Sequence, residues 1–304
     1  MSGAERRIKS HAPWRDRSGR LSALKTVVFV LLPLPALAPL VAWAVYGLAG
    51  HPSQTVLLLT GFWSDRLLVA TLAVTPLAAL FALPRLTLVR RMLGVAAAAY
   101  AAAHLAVYAF QQGFAWGFIA VQMVSHPVLT VGLASLLGLA ALALTSTDGW
   151  VRRLGRGWRR LHLLVHPAIV LALLHSFMEA PANVTLSATC AGLYLWLLFW
   201  RFLPKGARRQ PLALLGLACA AAIATAGLEA GWYALATGLP WPRILGANLS
   251  FIAGIRPAQW VALGGLAIAG AMAARRVGPG LMARRLMTRL FASAISLPAR
   301  ETER

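Results

Sequence analysis

Seven stretches of at least 18 residues run without Asp, Glu, Lys or Arg: 26–64, 67–84, 92–147, 161–178, 180–200, 210–228 and 257–274. A helix needs about 20 mostly apolar residues to cross about 30 Å of hydrocarbon, so each stretch predicts at least one span. Two of them are too long for a single crossing. One breaks at the polar, Gly- and Pro-containing segment Gly47-Leu-Ala-Gly-His-Pro-Ser-Gln54. The other breaks around Gln111-Gln-Gly113 and again at Ser125-His-Pro127. The pattern predicts an all-α, polytopic membrane helix bundle of about eight transmembrane helices, over 26–48, 63–83, 92–111, 128–146, 159–178, 184–203, 211–236 and 257–274. Pro33, Pro35, Pro39 and Pro76 fall within early spans, where neighbouring helices can satisfy the freed carbonyls.

Composition sharpens this picture. Only 12% of the 304 residues are charged, while 59% are hydrophobic; soluble domains carry about 25% charged residues. That excludes an ordinary soluble domain, a disordered tail and a secreted disulfide scaffold. The net charge is nonetheless +21, from 29 Lys and Arg against 8 Asp and Glu. Alternate segments hold 26 of the 29 cations: the first 25 residues, 85–91, 152–160, 201–209 and the residues from Arg275 onward. The other side keeps only Arg66, Arg243 and Arg256. Cations collect on the cytoplasmic face, so both termini are expected there, in the inner (plasma) membrane of a bacterium. Scattered over five segments, the basic residues are a poor nucleic-acid surface; the 152–160 cluster could dock a flavoprotein or anionic headgroups. The basic-then-apolar start imitates a signal peptide, but Val27 to Leu48 is about twice the usual length of such a region, so it is expected to remain as the first span. No nucleotide-binding glycine motif occurs; Gly155-Arg-Gly157 lacks both a third glycine and a preceding strand. Cys190 and Cys219 lie inside apolar runs without metal-site spacing, and no CxxCH is present to attach a haem covalently.

Ionisable groups inside spans are costly and mark function. Of seven histidines, His11 falls in the basic tail, and His51 and His126 stand beside prolines in external loops. His104, His162, His166 and His175 fall in helical stretches. The third span runs outward from Arg91, which puts His104, thirteen residues on, about 20 Å along the axis. The fifth span also runs outward, with His162 at its cytoplasmic end and His175 thirteen residues further out. His104 and His175 therefore reach similar depth on different helices, as two imidazoles must to ligate one haem iron from opposing walls. His162 could serve a second haem near the inner face. The rival reading is that each histidine hydrogen-bonds across a helix pair as ordinary polar glue. His166, one turn beyond His162 and followed by Pro167, reads as a substitute ligand or, preferably, as packing.

Several motifs carry a resemblance. Thr60-Gly-Phe-Trp-Ser-Asp-Arg-Leu-Leu-Val-Ala-Thr-Leu-Ala-Val-Thr-Pro-Leu77, then Arg90-Arg-Met-Leu-Gly94 followed by His104, resemble the MsrQ family. So do Leu144-Thr-Ser-Thr147 and Arg153-Leu-Gly-Arg-Gly-Trp-Arg-Arg-Leu-His162, followed by His175. MsrQ is the haem-binding membrane subunit of the methionine sulfoxide reductase system, within the ferric-reductase-like transmembrane group. The resemblance covers about residues 25–203. It implies haem b, one or two, with His104, His175 and His162 as iron ligands. It also implies electrons arriving from a cytoplasmic flavin reductase, with its FMN, or from a quinone, and leaving to a periplasmic molybdopterin methionine sulfoxide reductase subunit. The chain would then be an electron-transfer component of an oxidoreductase, with terminal reduction performed by that partner. His166 stands where the family commonly has an aromatic residue, and Arg90 and Arg91 stand where ferric reductases carry a further histidine.

On this reading residues 1–24 are a basic cytoplasmic tail and 25–203 a ferric-reductase-like haem-binding domain of six spans. Residues 204–274 add two spans, and 275–304 form a second basic cytoplasmic tail. Haem propionates need cations or water; Arg66 is the candidate at the outer end, with Arg90, Arg91 and Arg159 at the inner face. Topology alone accounts for the inner arginines equally well, and a local ion pair with Asp65 is the rival for Arg66. Glu229 reads as an interfacial acid, and Trp232, Trp241 and Trp260 as an aromatic belt. The competing functions are a ferric or metal reductase-type transmembrane cytochrome and a haem-free transporter or assembly protein.

Overall fold

A computed structural model describes Trp14 and residues 20–37, 41, 52–251 and 254–295, the side chains of Pro52 and 277–295 excepted. Most of the tail with His11, the end of the first predicted span with Pro39, and the loop at His51 lie outside the described residues.

Among those residues the regular structure is helical. It begins with α1 (Ala23–Leu31), then α2 (Pro52–Leu80) and a 3-10 turn (Pro84–Val89) leading into α3 (Arg90–Gln111). A short helix α4 (Trp116–Ser125) precedes α5 (Pro127–Leu144), and two short helices, α6 (Asp148–Leu154) and α7 (Arg156–Leu161), follow. A 3-10 turn (His162–Leu164) opens α8 (Val165–Glu179), and α9 (Thr185–Phe202), α10 (Pro211–Thr237), α11 (Trp241–Asn248) and α12 (Pro257–Ile295) complete the order. Six helical stretches are long and apolar enough to cross a membrane: Ser53–Leu80, Pro84–Gln111, Pro127–Leu144, Arg156–Glu179, Pro211–Thr237 and Pro257–Arg276. The chain is a polytopic membrane protein. α9 is less apolar, for it carries Arg201, Trp196 and Trp200. It buries nine of its residues, including Tyr194, Trp196 and Trp200, and so stands in the centre of the bundle.

Local chemistry sets the boundaries. α2, α5, α10 and α12 open on Pro52, Pro127, Pro211 and Pro257; the first helical position is where a missing N–H costs nothing. α10 ends at Gly238, whose φ of 71° is the left-handed conformation that terminates helices. The Thr147 hydroxyl accepts from the Trp150 amide and caps α6. Two boundaries differ from the hydropathy reading. α2 starts eleven residues before the predicted 63, because Thr60, Ser64 and Asp65 are buried in the bundle instead of facing water. The loop expected after Gln111 contains α4, an apolar helix with Phe118, Val121 and Val124 exposed.

α10 and α12 pack on α9 through glycines that let backbones approach closely. A Cβ on Gly192 would sit 2.2 Å from the Thr225 hydroxyl oxygen, and one on Gly265 would sit 2.5 Å from Ala218 Cβ. At the C-terminal end of α2, Arg275 donates to Phe81 O at 2.8 Å, and Arg209 donates to Ala79 O. These cations satisfy carbonyls at the C-terminal end of α2, where the helix dipole favours positive charge.

At the other end of α10, Glu229 is fully buried, unlike the interfacial acid expected from its position. It accepts from Arg256 and from the Asn248 amide, both at 2.8 Å, while Gln259 ties the Asn248 and Ser250 carbonyls. Trp241 and Trp260 are exposed, whereas Trp232 packs on Phe177 with ring centroids 5.0 Å apart. Removing one partner of a buried ion pair leaves the other charge uncompensated, at a cost of about 3–5 kcal/mol. Glu229→Ala is therefore expected to lower the melting temperature in detergent substantially; an unchanged transition would show that the pair does not hold α10, α11 and α12 together.

Candidate bis-histidine site

His104 on α3 and His175 on α8 face each other across a cavity of about 270 Å³. Their ring centroids are 5.9 Å apart and their planes lie at 85°. Each ring is fixed by a backbone carbonyl: His104 Nδ1 lies 2.8 Å from Leu57 O, and His175 Nδ1 lies 2.9 Å from Val128 O. A carbonyl only accepts, so Nδ1 carries the proton in both rings, and a neutral ring then keeps a lone pair on Nε2. Two such lone pairs converging in one cavity are a metal-ligating arrangement, with the tautomers set by the partner on the far side of each ring.

Close approach to glycine makes room for the rings. A Cβ on Gly132 would come within 2.8–2.9 Å of the His175 ring, and one on Gly61 would come within 3.1 Å of His104 Nδ1. Each imidazole thus lies against the one helical position where no side chain intervenes, and it reaches the carbonyl four residues earlier on the same helix. The helices that carry the histidines are tied to the glycine helices by serines three positions further on. Ser64 donates to Ala97 O at 3.0 Å, and Ser135 donates to Ala168 O at 2.9 Å.

These contacts repeat with a fixed offset of 71 residues. Leu57, Gly61, Ser64, Ala97 and His104 in the α2–α3 pair match Val128, Gly132, Ser135, Ala168 and His175 in the α5–α8 pair. The two halves meet in the cavity, which Ala101 and Ala172 line at another matched pair of positions.

The remaining wall combines leucines, including Leu105, Leu133, Leu136 and Leu139, with the polar side chains of Gln54, Gln111, Tyr108 and Glu179. No Lys or Arg contributes to it. Asp65, buried, is part of the wall and accepts a hydrogen bond from Ser176. Arg66, expected as a propionate partner, lies outside the wall with its guanidinium 5.1 Å from the centroid of the Trp63 ring.

The inner residues form a separate group. His162 stacks on Trp158 with centroids 3.8 Å apart, its Nδ1 3.1 Å from Trp158 O and its Nε2 3.4 Å from the Ser146 hydroxyl. The residue 71 positions before His162 is Arg91, which pairs with Asp148 at 2.7 Å instead of offering an imidazole. Arg90 donates to the Thr75 hydroxyl at 3.3 Å. His166 has both nitrogens engaged, Nδ1 with the Tyr194 hydroxyl at 3.1 Å and Nε2 accepting from Arg201 at 2.8 Å. It therefore packs and offers no free lone pair. Among the described residues, the structure brings His104 and His175 together and leaves His162 without a facing histidine.

The spacing of the His104–His175 pair fits a haem iron. A metal–imidazole bond is about 2 Å, so two rings sharing one iron stand about 6 Å apart between centroids, which matches the observed 5.9 Å. Neutral nitrogens, a largely apolar wall and glycine-backed rings suit a flat apolar ring system inserted between the imidazoles.

A family profile described as "Ferric reductase like transmembrane component" matches residues 57–173, which include His104 and end two residues before His175. The chain is 39% identical over 203 residues to the "Protein-methionine-sulfoxide reductase heme-binding subunit MsrQ" of Xanthomonas axonopodis pv. citri (strain 306), covering 63% of this chain and 91% of that one. It is 42% identical over 156 residues to the protein of the same name from Xanthomonas campestris pv. campestris (strain 8004), covering 51% and 71% respectively. The corresponding protein of Caulobacter vibrioides (strain ATCC 19089 / CIP 103742 / CB 15) is 35% identical over 192 residues, covering 61% and 91%. No solved structure matches the chain.

Proposed function

The chain belongs to the MsrQ family of haem-binding membrane subunits, and from that premise we propose that it is a b-type cytochrome of the bacterial inner membrane that carries electrons outward. It takes them from a cytoplasmic flavin reductase or a quinol and delivers them to a periplasmic methionine sulfoxide reductase catalytic subunit. The observation that carries the reading is the pair of carbonyl-fixed imidazoles, His104 and His175, 5.9 Å apart and lining one cavity.

In this reading His104 and His175 hold the haem iron from opposite sides, and the leucine wall keeps water from it. The haem supplies one-electron chemistry, and the protein supplies ligation, orientation and dielectric. With no CxxCH in the chain the haem is bound non-covalently, hence b-type. The distribution of cations supports eight spans with both termini cytoplasmic, the six-span unit 25–203 holding the haem and 204–274 adding two spans. Arg90, Arg91 and His162 then mark the inner end, where electrons enter. Arg66 serves the outer end.

The reading is tested on protein purified in detergent from cells supplied with haem. The dithionite-reduced minus oxidised spectrum is expected to show the α and Soret bands of a six-coordinate b haem. A folded sample without them overturns it.

A further inference from the structure

The two halves of the site are matched where they hold imidazoles and unmatched at one place. Asp65 and Ser176 are hydrogen-bonded to each other in the wall; their counterparts at the 71-residue offset are Leu136 and Leu105, which line the same cavity. The second half clamps its histidine with leucine at the Asp65 position, so clamping does not require an acid there. Yet a buried carboxyl among leucines is costly unless something compensates it. Ser176 gives one hydrogen bond. Arg66, adjacent in sequence, lies against the Trp63 ring and outside the wall. The other carboxyl of the wall, Glu179, is exposed to solvent. Arg66 also offsets the carboxylate electrostatically from outside the wall, and the group that occupies the cavity is the remaining partner on the inside.

We infer that Asp65, held by Ser176, is the fixed negative charge that sets how readily the group bound between His104 and His175 accepts an electron. The inference rests on the haem reading above. A ferric iron with a dianionic porphyrin and two neutral imidazoles bears one net positive charge, and the ferrous form bears none. A carboxylate in a low-dielectric wall stabilises the charged, oxidised state and so lowers the midpoint potential. One electron enters the iron from the reductant, and no bond or proton changes at Asp65. The role is electrostatic tuning, exerted through space from α2, one helical turn from the glycine that backs His104.

The test is a mediated redox titration of the purified holoprotein, followed by absorbance. Asp65→Asn keeps the shape and removes the charge, and its midpoint is expected to rise by about 59 mV or more, a tenfold or greater gain in electron affinity. Asp65→Glu, which restores the charge, is expected to return the midpoint towards that of the unaltered protein. Glu179→Gln, at a water-screened carboxyl, is expected to move it less. Haem bound with an unshifted midpoint in Asp65→Asn overturns the inference and leaves the haem reading standing; absence of haem from the unaltered protein overturns the haem reading itself.

Should Asp65→Asn fail to fold or load, the infrared spectrum of the unaltered protein decides. The chain has three aspartates, Asp16 in the basic tail, Asp65, and Asp148 paired with Arg91 at the surface. With 13C-labelled aspartate, label-sensitive carboxylate bands alone are expected. A label-sensitive carbonyl band of a protonated acid would overturn the inference.

Discussion

Replacing either His104 or His175 with Ala abolishes one and the same haem, seen as loss of the same α and Soret bands from the reduced-minus-oxidised spectrum of folded protein. Each imidazole supplies one of two lone pairs in a single cavity, and each is anchored by its own carbonyl, at 2.8 Å from Leu57 and 2.9 Å from Val128. Removing one ring takes away one of the two imidazoles that would hold the iron, and no other histidine lines the cavity to take over. His162→Ala is expected to leave these bands intact, since His162 is stacked on Trp158 outside this cavity. Loss of two different haems from the two outer variants would refute the pairing. Loss of the same bands from His162→Ala would move the iron to the inner face.

Gly132→Ala is expected to weaken haem binding roughly 10- to 100-fold, the range seen when the partner that orients a metal-ligating histidine is lost. The new Cβ would meet three atoms of the His175 ring at 2.8–3.2 Å, so the ring must swing away and give up its carbonyl. Gly61→Ala meets His104 at 3.1 Å and should cost less. Gly216→Ala, where nothing lies within 4 Å, is the control for a glycine-to-alanine change within a span. Haem content after titration with hemin, at equal helicity, gives the measurement. Equal retention in all three variants would show that the rings are not held against the glycines.

The matched depth of His104 and His175 was legible in the sequence, because uncharged runs and basic loops indicate how far along its span each residue lies. Hydropathy says nothing about azimuth, however. Thirteen residues at about 100° each place His162 and His175 about 140° apart around their helix, and only packing decides which of them faces α3. Depth also misplaced the start of α2, since Thr60, Ser64 and Asp65 read as an approach to water when they turn inward. The glycines that back the rings were invisible among 26 glycines in the chain. The signal that could have found them is the repetition of Gly61-Phe-Trp-Ser64 as Gly132-Leu-Ala-Ser135, at the same 71-residue offset as the two histidines. Asp65 stands beside Arg66 in the sequence, where a local ion pair is only the rival reading of Arg66; its burial is set by contacts between α2 and α8 that no local pattern encodes.

The carbonyl clamps also bear on speed. Electron transfer is slowed by whatever nuclear rearrangement must accompany the change of charge. On the proposed reading both rings would be held at three places: the nitrogen that faces the metal, the opposite N–H on a helix carbonyl, and a close glycine face. A site whose ligands have nowhere to move presents nearly the same geometry in both oxidation states, and its pre-set dipoles need no reorientation as the charge comes and goes. The 71-residue repeat supplies the carbonyl and glycine contacts twice, once for each ring, so on the proposed reading the bundle would be shaped as a conductor before it is tuned as one.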